Sequence, residues 1–150
     1  MRRDDFVLTG LWTALVAALC AAALLVPGAA LLNFGDLYAF HYPLRHLVGS
    51  SLAAGRLPFW NPYILGGVPL LADTQTALFY PVSLLGYFFP LLKALSWDCA
   101  FHLWWAGLGG MLLARRSGVA VAWALLLGAS YALSPFLVYR SAEGIPTLLA

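Results

Sequence analysis

Residues Phe6 to Gly35 read Phe-Val-Leu-Thr-Gly-Leu-Trp-Thr-Ala-Leu-Val-Ala-Ala-Leu-Cys-Ala-Ala-Ala-Leu-Leu-Val-Pro-Gly-Ala-Ala-Leu-Leu-Asn-Phe-Gly, without a single charge. About 20 mostly apolar residues carry a helix across a bilayer. The run is long enough, and Pro27 near its far end is tolerated there as a kink. A cleaved signal peptide is the competing reading, with candidate sites at Ala21–Ala23 and Gly28–Ala30. Against it, the run is long for such a segment, and Asp4 and Asp5 sit where basic residues are expected. Leu19 ahead of Cys20 does not suit a lipoprotein cleavage site.

The composition extends this reading outward. The chain has 150 residues, 63% of them hydrophobic and 9% charged, against about 25% charged in a soluble domain. No Lys/Arg cluster exceeds two short pairs, so nucleic acid is set aside as a partner. Cys20 and Cys99 both lie in apolar segments without metal-ligand spacing and read as small hydrophobes. Two further apolar runs follow, Leu91–Leu113 and Val119–Tyr139, the latter interrupted at Ser134-Pro135. The expected fold is all-α and integral to the membrane. It has about three spans, at residues 8–32, 91–113 and 119–139, and a long extracytoplasmic loop at residues 33–90. The chain stops at Ala150 inside a new apolar run, so it reads as the N-terminal part of a larger polytopic protein. Arg2-Arg3 and Arg115-Arg116 mark the cytoplasmic side by the excess of basic residues in inside loops. That places the N-terminus on the cytoplasmic side of the membrane and the first loop outside.

The loop predicts a helix over Leu37–Ala54, with Phe40, Leu44, Leu47, Val48 and Leu52 on one face and Pro43 weakening its start. Such a helix beside a membrane exit lies in the interface plane. Leu57–Asp73 reads as loop, turning at Gly66-Gly67. Asp73 is placed to cap a short helix over Thr74–Tyr80. The apolar piece Val82–Phe89 is too short to span.

Candidate chemistry gathers in this loop. Asp36, at the mouth of the first span, suits a base whose pKa is raised by partial dehydration; an N-cap is the plainer reading. Asp73 stands between the same two readings. Arg45 and Arg56 suit a phosphate or snorkel to headgroups. Asn61, Gln75 and Tyr80 can hydrogen-bond a sugar or serve turns and caps. His41 and His46 do not share a helical face and suggest no metal site. Asp98 and His102 stand at i, i+4 and are expected to pair with each other.

Gly35-Asp36, Tyr42-Pro43, Arg45, then Gly55-Arg-Leu-Pro-Phe-Trp-Asn-Pro-Tyr63 with Gly67, Pro69, Ala72-Asp73, Gln75 and Tyr80-Pro81, resemble the YfhO-like bacterial membrane proteins. These are similar to the GT-C class of integral-membrane glycosyltransferases. The match covers Gly35–Pro81; the spans match loosely. The resemblance implies transfer of a sugar from a polyprenyl-phosphate donor to a cell-envelope acceptor outside the membrane. On it, Asp36 and Asp73 are the catalytic candidates. Arg45 and Arg56 would hold the lipid phosphate, and Tyr42, Asn61, Gln75 and Tyr80 would contact sugar or lipid. Membrane lipid and the donor are the implied partners. No cofactor follows, although part of the class uses a divalent metal. A non-catalytic envelope protein and a lipid-linked glycan transporter are the alternatives.

Overall fold

The computed structural model describes residues 3–25 and 37–142. It begins with helix α1 (Arg3–Leu25). A π-helical turn, Leu37–His41, runs directly into α2 (Tyr42–Ala53). Pro43 falls in the first turn of α2, just behind the π-helical turn, and marks the change from π to α geometry without splitting the helix. Gly55, at φ 69°, stops the helix, its N–H returning to the Leu52 carbonyl. Strands β1 (Trp60–Asn61) and β2 (Val68–Pro69) follow, then a 3-10 turn at Thr74–Thr76 and α3 (Pro81–Gly86). The chain continues with α4 (Leu91–Arg116), α5 (Val121–Ala132) and α6 (Pro135–Ala142).

Two expectations are corrected. Among the described residues, no helix is long and apolar enough to cross a membrane. The second expected span, 91–113, forms α4, which has 26 residues but carries Lys93, Asp98, His102, Arg115 and Arg116 along it. The third, 119–139, is broken at Ser134-Pro135 into α5, of 12 residues, and α6, of 8. At 1.5 Å per residue α5 rises about 18 Å, against a hydrocarbon layer of about 30 Å. The first expected span continues past Leu25, outside the described residues. Arg115, read as an inside marker, is engaged in the protein: Nε donates to Asp5 Oδ1 at 3.1 Å and Nη1 to the Val119 carbonyl at 2.8 Å.

The second correction concerns the all-α class. Part of Leu57–Asp73 is an antiparallel hairpin, with Trp60 opposite Pro69 and Asn61 opposite Val68. Leu70 N–H adds a bond to the Phe59 carbonyl at 2.9 Å. The tip turns through positive φ at Leu65, Gly66 and Gly67. Gly67 is needed for a further reason: a Cβ there would stand 2.6 Å from the Trp60 indole, which lies against its backbone.

The core has three parts. Leu8, Trp12, Met111, Ala114, Ala124 and Ala132 pack α1 against α4 and α5. The backbones approach closely: a Cβ on Gly128 would stand 2.6 Å from the Gly107 carbonyl oxygen. Leu37 packs on Leu95 and Cys99 of α4. Leu44 and Val48 of α2 pack on Leu70 and Leu78, which fastens the hairpin and the 3-10 turn to α2.

Candidate functional site

Asp98 is the hub on which the layer from α2 to α3 closes over α4. It is 2% exposed. Ser83 of α3 donates its hydroxyl to Oδ2 at 2.7 Å, and Arg45 of α2 donates Nη1 to the same oxygen at 3.2 Å. His102, one turn along α4, places Nδ1 2.7 Å from the Asp98 backbone carbonyl and 3.3 Å from Oδ1. Its other nitrogen, Nε2, lies 3.0 Å from Tyr80 Oη, and the two rings stack at 5.4 Å. Tyr87 Oη donates to the Thr76 carbonyl at 2.6 Å, closing the segment on itself.

The electrostatics follow from burial and partners. Burial pushes the Asp98 carboxyl up, but hydrogen bonds from His102 and Ser83 and the charge of Arg45 outweigh it and hold the group below its ordinary value. Burial works against the His102 imidazolium, yet Asp98 holds its pKa above the ordinary 6.5. Tyr87 and Cys99 are both pushed up to about 12, chiefly by burial. Among the described residues, Arg45 Nε and Nη2 have no hydrogen-bond partner, and Asp98 Oδ1 has only the longer contact to His102 Nδ1 at 3.3 Å. A cavity of about 10 Å³ borders the pair between Ser83, Tyr87 and Leu91, the size of one water.

A second feature lies on the far side of α2. An open groove of about 440 Å³ runs between that helix and the hairpin tip, lined among others by Phe40, Pro43, His46, Ser50, Asn61 and Tyr63. Tyr63 is 81% exposed and stands at its edge. Asn61, by contrast, is buried, and its side-chain oxygen accepts from Tyr63 N–H at 3.0 Å. Asn61 therefore sets the shape of the tip as well as lining the groove.

The predicted residues divide between these places. Arg45 and Tyr80 converge on the Asp98 hub, Arg45 directly and Tyr80 through His102. Arg45 is 4% exposed, and its charge is already matched by a carboxylate. Asn61 belongs to the groove. Tyr42 packs against the Leu37–Leu95–Cys99 cluster and stacks on His46 at 6.1 Å. Arg56 is exposed beyond the end of α2. Asp73 and Gln75 meet each other: Asp73 Oδ1 accepts from Gln75 N–H at 2.9 Å as the cap of the 3-10 turn. Asp36 lies outside the described residues. Among the described residues, no three His, Cys, Asp or Glu side chains gather into a metal-holding group.

Sequence reasoning missed Ser83, and it read Phe40 only as part of an apolar helix face and Tyr63 only as one of the loop aromatics. Ser83 carries no local signal, because its partner is 15 residues away.

The cap role of Asp73 makes a direct prediction. Asp73→Ala is expected to destabilise the protein by about 1 kcal/mol, and Asp73→Asn by no more than about 0.5 kcal/mol, because asparagine caps as well as aspartate. Urea titration of the two variants measures the difference; equal losses would remove the cap as the reason for this residue.

No family model matches the chain, and neither the curated proteins nor the solved structures contain a match to it.

Proposed function

We propose that this chain binds a polyprenyl-phosphate-linked sugar at the surface of a bacterial membrane, and serves transfer of that sugar to a cell-envelope acceptor. The observation that carries the reading is the groove. Asn61 and Tyr63, from the stretch that resembles the YfhO-like proteins, line one side of an open cleft whose other side is α2 and the turn ahead of it. Its volume of about 440 Å³ falls in the range of small-molecule sites, roughly 300–1,000 Å³. Aromatic and apolar faces with a few polar groups, here His46, Ser50 and Asn61, suit a sugar ring or an isoprenoid stem. A lipid partner is supported by the outer face of the helices. Leu11, Leu15, Trp105, Leu113, Trp123 and Leu127 are each more than half exposed, and apolar surface of that extent calls for cover. Asp36 remains the proposed base, on the resemblance alone.

The second reading is a non-catalytic envelope binding protein. It is favoured by the structural employment of Asp73 and Arg45, the first as a cap and the second as a buried counter-charge.

Complementation of a knockout strain, scored by envelope glycan composition, tests both. Tyr63→Ala with Phe40→Ala removes exposed side chains and is expected to lower the glycan at least about tenfold, roughly 1.4 kcal/mol of binding, without changing the melting transition. Unchanged glycan would sink the groove as the site. Restoration by Asp36→Asn would leave the binding reading and remove the catalytic one.

A further inference from the structure

We propose that Tyr80 and His102 form a proton-operated hydrogen-bond switch, in which the Tyr80 hydroxyl donates inward to a neutral His102 and turns outward when His102 takes up a proton at Nε2. The inference stands apart from the lipid-linked sugar reading and rests on the geometry of one ring.

That geometry fixes which nitrogen titrates. His102 Nδ1 is 2.7 Å from the Asp98 backbone carbonyl. A carbonyl only accepts, so Nδ1 keeps its hydrogen in both charge states. The proton that comes and goes is therefore on Nε2, which faces Tyr80 Oη at 3.0 Å. In the neutral ring Nε2 is an acceptor, and the phenol must give it the O–H. In the imidazolium Nε2 is a donor, the phenol oxygen must accept, and the phenolic hydrogen points elsewhere. The stacked rings, inclined by only 30°, hold the oxygen in place while the O–H rotates. Tyr80 is only partly buried, so its outward direction is open to an approaching acceptor.

The groups around His102 set when the switch acts. Asp98 on its own helix favours the imidazolium, and Arg45 from α2 opposes it. Tyr80, from the segment ahead of α3, completes the set; burial and the nearby Asp98 keep its phenol protonated beyond the ordinary 10.0. Tyr87 and Cys99, coupled to the same Arg45–Asp98 pair, stay neutral because burial raises them to about 12. Asp98, held below 3.8, stays ionised throughout. His102 is raised above 6.5, so its protonation supports the fold fully below that pH. The support is lost as pH rises through the raised value. An oxyanion or carbonyl oxygen arriving at Tyr80 thus meets an O–H donor in mildly acidic solution and a lone pair in alkaline solution.

The test is NMR of the full chain, isotope-labelled and solubilised, from about pH 5 to about pH 9, the range in which imidazole changes charge. The three histidines are told apart with His46→Gln and His102→Gln. The expected result is a neutral His102 carrying its hydrogen on Nδ1, the less common tautomer of a free histidine side chain, with a midpoint above 6.5. The Tyr80 ring carbon bearing the hydroxyl is expected to shift with the same midpoint, and the shift to vanish in His102→Gln. A neutral His102 with its hydrogen on Nε2 would overturn the proposal, as would a Tyr80 signal indifferent to the titration. The wild-type tautomer decides the matter even if His102→Gln does not fold.

Discussion

Asp98→Ala is expected to destabilise the protein by about 3–5 kcal/mol, the range for breaking a buried ion pair from one side. The carboxylate accepts from Ser83 and Arg45 and lies beside His102. Without it, the Arg45 guanidinium, 4% exposed, keeps its charge almost wholly withdrawn from bulk water. The loss of attraction is the smaller part; the uncompensated charge is the larger. The same reasoning gives a second arm. Arg45→Met together with Asp98→Leu removes both charges and keeps most of the volume, and is expected to recover most of the stability. Denaturant unfolding of the two variants separates the explanations. If the double variant were as unstable as Asp98→Ala, the pair would be contributing by attraction rather than by mutual compensation. The loss from Asp98→Ala is also expected to shrink as the pH of the wild type falls below 3.8 and through the lowered value of Asp98. There the wild-type carboxyl is itself neutralised and its contribution disappears.

Trp12→Ala is the second large effect, about 3–5 kcal/mol. The indole is 3% exposed and donates its N–H to the Trp104 carbonyl at 2.9 Å. Its ring covers Gly107: a Cβ on that glycine would collide with Trp12 Cζ2. Gly107→Ala alone is therefore expected to cost about 1–3 kcal/mol by overpacking, since an indole is rigid and has no end to swing aside. In the Trp12→Ala background the same glycine change should be close to neutral. A coupling of about 0.5–3 kcal/mol in the double-mutant cycle measures the contact. Additive losses would show that the two sides of the α1–α4 crossing act independently.

These features differ in how far they were legible before the structure. The helix over residues 37–53, its stop at Gly55 and the cap at Asp73 are local devices, written in neighbouring residues. The i, i+4 pairing of Asp98 with His102 was legible for the same reason. Arg45 was readable only as a cation with a choice of partners, because the carboxylate that takes it is 53 residues away. The hairpin was hidden by its shortness. Two paired positions flanked by Pro62, Gly66 and Gly67 leave no alternating pattern, and the turn places a leucine at positive φ, where a glycine is expected. The apolar runs misled in another way. Hydropathy averages over a segment, whereas α4 turns Asp98 and His102 inward, Asp98 onto Arg45 and Ser83, and leaves Lys93, Trp97, Trp105 and Arg116 exposed. Ser134-Pro135 was visible as an interruption, and in the structure it divides two helices.

The Trp12–Trp104 contact also bears on the order of assembly. Helices α4 and α5 are joined by the four residues Ser117–Ala120, so bringing them together costs about 1 kcal/mol in loop-closure entropy. The bond from Trp12 to Trp104 spans 92 positions, and closing that distance costs about 4 kcal/mol. On loop-closure entropy alone, the α4–α5 pair is expected to form first. Helix α1 is expected to join it by a later, long-range closure, after which residues 37–87 have both ends fixed and fewer ways to wander.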